Sequence, residues 1–150
     1  MRLQQFQVAV VQQTQKQLPR ALKNFNARTQ FTLVKIFYTR PRTHYEVAVR
    51  GQERLIEIGL HFEEEKKLND ELLAYFRARA FEIHAELGAR VEVERWTQSW
   101  SRVHEVVPYQ SLDAQLVETV AGKLTRMIAV LEPMLRERGK TGARARGGKK

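Results

Sequence analysis

The sequence predicts an α+β domain: a four-stranded antiparallel sheet of ββαββ order with helices packed on one face, an N-terminal helical arm, a long C-terminal helix and a disordered basic tail. Three observations carry this reading. An apolar stripe of helical period runs from about Glu64 to Leu87, alternating apolar and polar residues flank it as a two-strand segment on each side, and a second helical stripe precedes a glycine-rich end. Residues 1–138 are read as one domain, with 1–40 as the arm, and 139–150 as the tail.

In the arm, Leu3, Phe6, Val10, Thr14 and Leu18 keep helical spacing and predict a helix over about 2–17, against a competing Phe6, Val8, Val10 strand. Pro19 sits where a second helix can begin, since a first turn does not need its missing N–H. Leu22, Phe25, Thr29, Leu33 and Ile36 continue the helical period, whereas Phe31 to Tyr38 is rich in β-formers, so the stretch stays open between helix and strand until Pro41 ends it. Tyr45, Val47 and Val49, then Ile56, Ile58, Leu60 and Phe62, alternate with polar residues and predict a hairpin closed by a turn at Gly51. The central helix follows: Leu68, Leu72, Phe76, Ala80, Ile83 and Leu87 form its stripe, and Leu73 and Phe81 widen it. Glu63 to Glu65 suit its N-terminus, Glu63 with Lys67 is an i,i+4 pair, and Gly88 suits its end. A second hairpin turns near Gln98, with Trp96 facing Trp100, Glu94 facing Arg102, Val93 facing Val103 and Glu92 facing His104, so that valines and opposite charges meet. The last stripe, from Leu112 to Leu135, begins after Ser111 or Asp113 as a cap and carries Pro133 near its end.

Composition narrows the function. With 43% hydrophobic residues in 150, the chain can bury a core without staples. The absence of cysteine excludes disulfides and thiolate metal sites and fits a reducing, cytoplasmic setting. No apolar run approaches the roughly 18 residues of a membrane span, and glutamines interrupt MRLQQFQVAVVQQTQ where a signal peptide needs an apolar stretch. The net charge of +9 is unevenly spread: residues 1–50 carry nine Lys/Arg against Glu46 alone, 51–138 carry twelve against sixteen acids, and 139–150 carry five and none. Basic ends of this kind attract a phosphate backbone or an acidic partner.

The stretches YEVAVRG, LIEIGLHFE, LLAYF, ELGARVEVERW followed by SWSRVHE, and VLEPML together resemble a group of uncharacterised bacterial α+β domains of unknown function, over about residues 44–136. The resemblance implies a hairpin, a helix, a Trp-bearing hairpin and a closing helix. It implies no reaction, although domains of that general kind are sometimes met beside restriction and nuclease modules.

Folding both hairpins into one sheet collects His44, Glu46, Glu57, His61, Glu92, Glu94, Arg102 and His104 on the face away from the helices. Such groups can bind a divalent metal or act as acid and base, but the ordinary expectation is a solvated sheet face. With no HxH or HExxH spacing, no metal site and no cofactor are expected. Glu46 and Glu57 lack the Glu-x-Lys pattern of restriction-like nucleases, and no P-loop, Rossmann glycine set or GxSxG occurs. Trp96 and Trp100 either lie under other elements or beside the Arg90 and Arg102 stems, or else stack on bases. His84 is read as a core-edge histidine.

The leading expectation is thus a non-catalytic protein that binds DNA or RNA, using Arg20, Lys23 and Arg28 in the arm, Trp96 and Trp100 on the second hairpin, and Lys140, Arg144, Arg146, Lys149 and Lys150 in the tail. The alternatives are a metal-dependent hydrolase using His44, Glu46, Glu57, His61 and His104, and an adaptor that docks its arm on a protein partner. No membrane partner is expected.

Overall fold

Strand-forming residues build more sheet than the sequence reading foresees. In the computed structural model, which describes the backbone of residues 1–147 and the side chains of 1–140, six strands form one antiparallel sheet in the order β1-β2-β3-β4-β6-β5. They are β1 (Asn26–Gln30), β2 (Leu33–Phe37), β3 (Thr43–Arg50), β4 (Leu55–Phe62), β5 (Glu92–Arg95) and β6 (Ser101–Pro108). The helices are α1 (Leu3–Gln17), α2 (Lys66–Arg77), α3 (Ala80–Leu87) and α4 (Ala114–Gly147), with a 3₁₀ turn at Arg20–Leu22. The expectation of four strands in ββαββ order is corrected on both counts: β1 and β2 precede the expected pairs, and two helices separate those pairs.

The open stretch resolves as the β1–β2 hairpin because Val34 and Ile36 sit on the core side while Lys35 faces the other way, a period-2 demand that a helix cannot meet. Phe31 occupies the turn at φ 52° and is 88% exposed, so this aromatic contributes nothing to the core. On the core side of the sheet, Tyr45, Val47, Ile56, Ile58 and Leu60 lie under Phe6 and Val10 of α1, Leu72 and Phe76 of α2, and Leu124 and Leu131 of α4. The arm's apolar face is therefore occupied, chiefly by α4. In the β3–β4 turn, Arg54 and not Gly51 takes the left-handed conformation, at φ 52°.

The central helix breaks after Arg77. Arg79 donates its backbone N–H to Phe76 O over a tightened turn, its backbone adopts φ −109° and ψ 14°, and its guanidinium packs 3.7 Å from the Tyr75 ring centre. The break re-aims the second half so that Ile83 is buried and Phe81 is 91% exposed, which corrects the expected widening of the stripe at Phe81, whereas Leu73 is buried as expected. Gly88 closes α3 at φ 101°, as its place after Leu87 predicts. The β5–β6 register matches the expected one, with Glu92 opposite His104, Val93 opposite Val103 and Glu94 opposite Arg102. At the start of α4 the Leu116 N–H donates to Asp113 Oδ1 at 2.9 Å, so Asp113 is the cap; Pro133 lies inside that helix. Among the described residues no helix is long and apolar enough to cross a membrane.

Candidate functional site

Strand parity assembles the site. His44, Glu46, Glu57, His61, Glu94, Arg102 and His104 all point away from the helices, and antiparallel pairing sets His44 beside His61, His61 beside Arg102, and Arg102 beside Glu94. Opposite Glu46 on β4 stands Gly59, where an added Cβ would lie 2.7 Å from the His104 Cβ and 2.9 Å from the Val103 carbonyl. The missing side chain lets β6 approach β4 closely at the middle of this face.

The expectation of a solvated face is corrected. His44, Glu46, Glu57, His61 and His104 are all buried, His61 completely. Arg102 lies over the Trp96 ring at 4.6 Å, and Trp96 meets the His61 ring edge-on at 5.5 Å, so the indole and guanidinium roof the carboxylates. Trp96 keeps 38% of its surface exposed and Trp100, 6.1 Å away, is half-buried.

Burial forces the charges to pair. Glu57 accepts hydrogen bonds from His61 Nε2 at 2.9 Å and Arg102 Nη1 at 3.1 Å. Burial alone would raise the Glu57 carboxyl, but the His61 hydrogen bond and the charges of His61, Arg102 and His104 hold it down to about 2. Burial likewise opposes charge on His61, yet its hydrogen bonds to Glu57 and Glu63 and the charges of Glu46 and Glu57 lift the imidazole to about 9. His104 moves the other way, lowered by burial and the Arg102 charge against the pull of Glu57 and Glu94. Glu94 Oε1 already accepts from Arg102 Nε, Arg102 Nη2 and His104 Nε2 at 3.2, 3.0 and 2.7 Å, which ties that end of the face together and leaves His104 Nδ1 buried without a hydrogen bond.

The other end is less settled. His44 Nδ1 lies 3.0 Å from the Pro41 carbonyl, which can only accept, so Nδ1 carries a proton and Nε2 faces Glu46 Oε1 at 3.1 Å and Glu63 Oε2 at 3.7 Å. Glu63 Oε2 in turn stands 3.3 Å from His61 Nδ1. Ligand atoms of His44, Glu46, His61 and Glu63 all fall within 4.8 Å of one another. Four possible donors thus lie close together although the sequence carries no HxH or HExxH spacing. The sequence suits Glu63 to the helix start with Lys67; in the structure it extends the β4 alternation Glu57, Gly59, His61 by one more step onto this face. That parity is a signal the sequence carries.

A cavity of about 270 Å³ opens beside His44 and Glu63, walled also by Arg28, Lys35, Phe37 and Arg42. Among the described residues none of these three cations forms an ion pair within 4.0 Å, and Arg28 lies over Phe37 at 5.1 Å. No family model, curated protein or solved structure matches the chain. Function must therefore be argued from these residues.

The sequence-predicted binding residues are not one surface. Arg28 joins the cavity rim together with Lys35 and Arg42, which the sequence reading missed because the strand status of residues 28–38 was open. Trp96 and Trp100 sit beyond His61 on the same face. Lys23 is turned onto the Lys16 carbonyl at 3.2 Å, and Arg20 is exposed in the 3₁₀ turn. Lys140 shares a groove on the helical side with Pro19, Ala21 and Leu22. The side chains of Arg144, Arg146, Lys149 and Lys150 lie outside the described residues, and where a disordered tail is expected from residue 139 the backbone instead continues α4 to Gly147. His84 donates Nε2–H to the Val91 carbonyl at 2.8 Å, as a core-edge histidine does.

A second cavity, of about 330 Å³, lies on the helical side between Tyr38, Tyr45, Leu72, Glu132 and Arg136. Its polar groups partner one another: Tyr45 donates to Glu132 at 3.1 Å and Arg136 Nε donates to Glu132 at 3.1 Å. Burial keeps the Tyr45 phenol and the Glu132 carboxyl raised.

Proposed function

We propose that the protein binds nucleic acid without acting on it, holding the phosphate backbone along the basic rim of the polar sheet face. The observation that carries this reading is the convergence of Arg28 from β1, Lys35 from β2 and Arg42 from the β2–β3 connection on one cavity, none of the three in an ion pair within 4.0 Å although Glu63 shares the wall. Three cations from three segments can contact successive phosphates. The exposed part of Trp96, across His44 and His61 from that rim, offers a π-face on which a base can stack. The resemblance of residues 44–136 to domains met beside nuclease modules suits such a setting.

Binding of the full chain to single-stranded and duplex DNA and RNA should be measured from about 50 mM salt upward, where screening is initially weak. Arg28→Ala, Lys35→Ala and Arg42→Ala together should weaken binding and make the slope of log affinity against log salt shallower by roughly 2 to 3, at about 0.7 to 0.9 counterion per contact. Trp96→Ala should weaken single-strand binding at an unchanged slope. No binding at low salt, or binding indifferent to the triple substitution, would sink the reading.

A further inference from the structure

The geometry points to a divalent transition-metal site formed by His44 Nε2, Glu46, His61 Nδ1 and Glu63 Oε2, at the floor of the cavity that Arg28, Lys35 and Arg42 surround. This assignment does not rest on nucleic-acid binding.

The first support is spacing. Donors bound at about 2.0 to 2.2 Å stand roughly 3.3 Å apart across a tetrahedral angle. Separations around the donors include 3.1 Å from His44 to Glu46, 3.3 Å from His61 Nδ1 to Glu63 and 3.7 Å from His44 to Glu63, while His61 approaches Glu46 through Nε2 at 3.9 Å. The His44 and His61 rings are nearly parallel, 20° apart with centroids 5.6 Å apart, which presents a nitrogen of each to the same carboxylates.

The second support is independent of the cluster's composition. Each imidazole is oriented by a partner on its far nitrogen: His44 Nδ1–H by the Pro41 carbonyl at 3.0 Å, and His61 Nε2–H by Glu57 at 2.9 Å, with Glu57 itself gripped by Arg102. A carbonyl or carboxylate behind the ring is what fixes the tautomer of a metal-ligating histidine. It leaves His44 Nε2, in a side chain 1% exposed, as a lone pair directed at two carboxylate oxygens. A neutral ring in that position has no attraction for carboxylates, and a cation between them supplies it. Without a metal, a proton on His61 Nδ1 directed at Glu63 supplies that positive charge, and metal uptake must displace it.

Imidazole nitrogen with carboxylate oxygen, and no thiolate, selects the Zn²⁺, Mn²⁺, Fe²⁺ and Co²⁺ class over the all-oxygen preference of Ca²⁺ and Mg²⁺. Half-buried Glu63 borders the cavity, so the ion has an entry path from solvent.

Full-length protein stripped with chelator should be titrated with Zn²⁺ and Mn²⁺ by calorimetry, and with Co²⁺ by visible absorption. One equivalent should bind, with a Co²⁺ spectrum of four- or five-coordinate nitrogen and oxygen ligation, and the melting temperature should rise with metal. Glu63→Gln, which keeps the side chain's size at the cavity wall, and His44→Gln should each weaken affinity more than tenfold. Glu92→Gln, exposed on the same face, should not change it. Absence of stoichiometric uptake would overturn the site, and uptake that Glu63→Gln leaves unchanged would place the ion elsewhere and overturn it equally.

Discussion

Gly59 shows how much a single missing side chain controls on the polar face. Any Cβ there would meet the His104 Cβ at 2.7 Å and backbone oxygen at 2.9 Å, and neither is the flexible end of a side chain. Gly59→Ala should therefore push β6 away from β4 and destabilise the domain by about 1 to 3 kcal/mol, the usual range for overpacking. Chemical denaturation would measure it, and an unchanged midpoint would contradict the close approach. The two phenylalanines of the central helical stretch supply the opposite comparison. Phe76 is fully buried and stacked on Phe62 at 5.5 Å, so Phe76→Ala should cost about 3 to 5 kcal/mol. Phe81, 91% exposed, should change stability by no more than about 0.5 kcal/mol when replaced by Ser. Sequence spacing gave both residues to one stripe, because a helical period says nothing of where a helix stops and turns.

At the scale of elements, α4 begins at a cap whose worth depends on pH. The Leu116 N–H and the Ser111 hydroxyl both donate to Asp113, and they hold its carboxyl below its ordinary 3.8. A carboxylate with a lowered folded pKa adds stability above its unfolded value and loses it as pH falls through the folded one. Asp113→Ala should thus lower the melting temperature at pH 7, and the gap to the native protein should close as pH drops below about 4. A gap that persists at pH 2 would mean the residue acts by packing rather than by charge. The β5–β6 hairpin was legible to the residue, since cross-strand charge and valine pairs admit one register. The β1–β2 hairpin was not, because Leu22, Phe25, Thr29, Leu33 and Ile36 satisfy a helical period while Val34 and Ile36 satisfy a strand's. Only the neighbouring β3, hydrogen-bonded to β2 through Lys35 opposite Glu46, decides between them.

Across the whole molecule, charge is divided between two sides. The basic rim of Arg28, Lys35 and Arg42 lies on the polar sheet face, whereas Lys140 lies in the helical-side groove beside Pro19 and Leu22. Truncation after Arg138 removes five cations. If two to four of them touch phosphate, the salt slope should become shallower by roughly 2 to 3.5, independently of the rim triple. Additive slopes would mean both sides engage nucleic acid; a slope that truncation leaves unchanged would confine binding to the sheet face. What the sequence determined by itself is local: the α+β class, the helix of the arm, both expected hairpins with their parity, the cap of α4 and the charge imbalance all follow from periodicities and residue chemistry within a few turns. What only the tertiary structure decided is which of those local patterns meet. Pairing of β2 on β3 added two strands, the turn at Arg79 split the central helix, and the Trp96 indole with the Arg102 guanidinium roofed carboxylates on the face that alternation alone assigns to solvent. Burial then turned ordinary surface histidines and glutamates into a coupled cluster, because charges removed from water must find partners and residues far apart in the chain are the ones within reach.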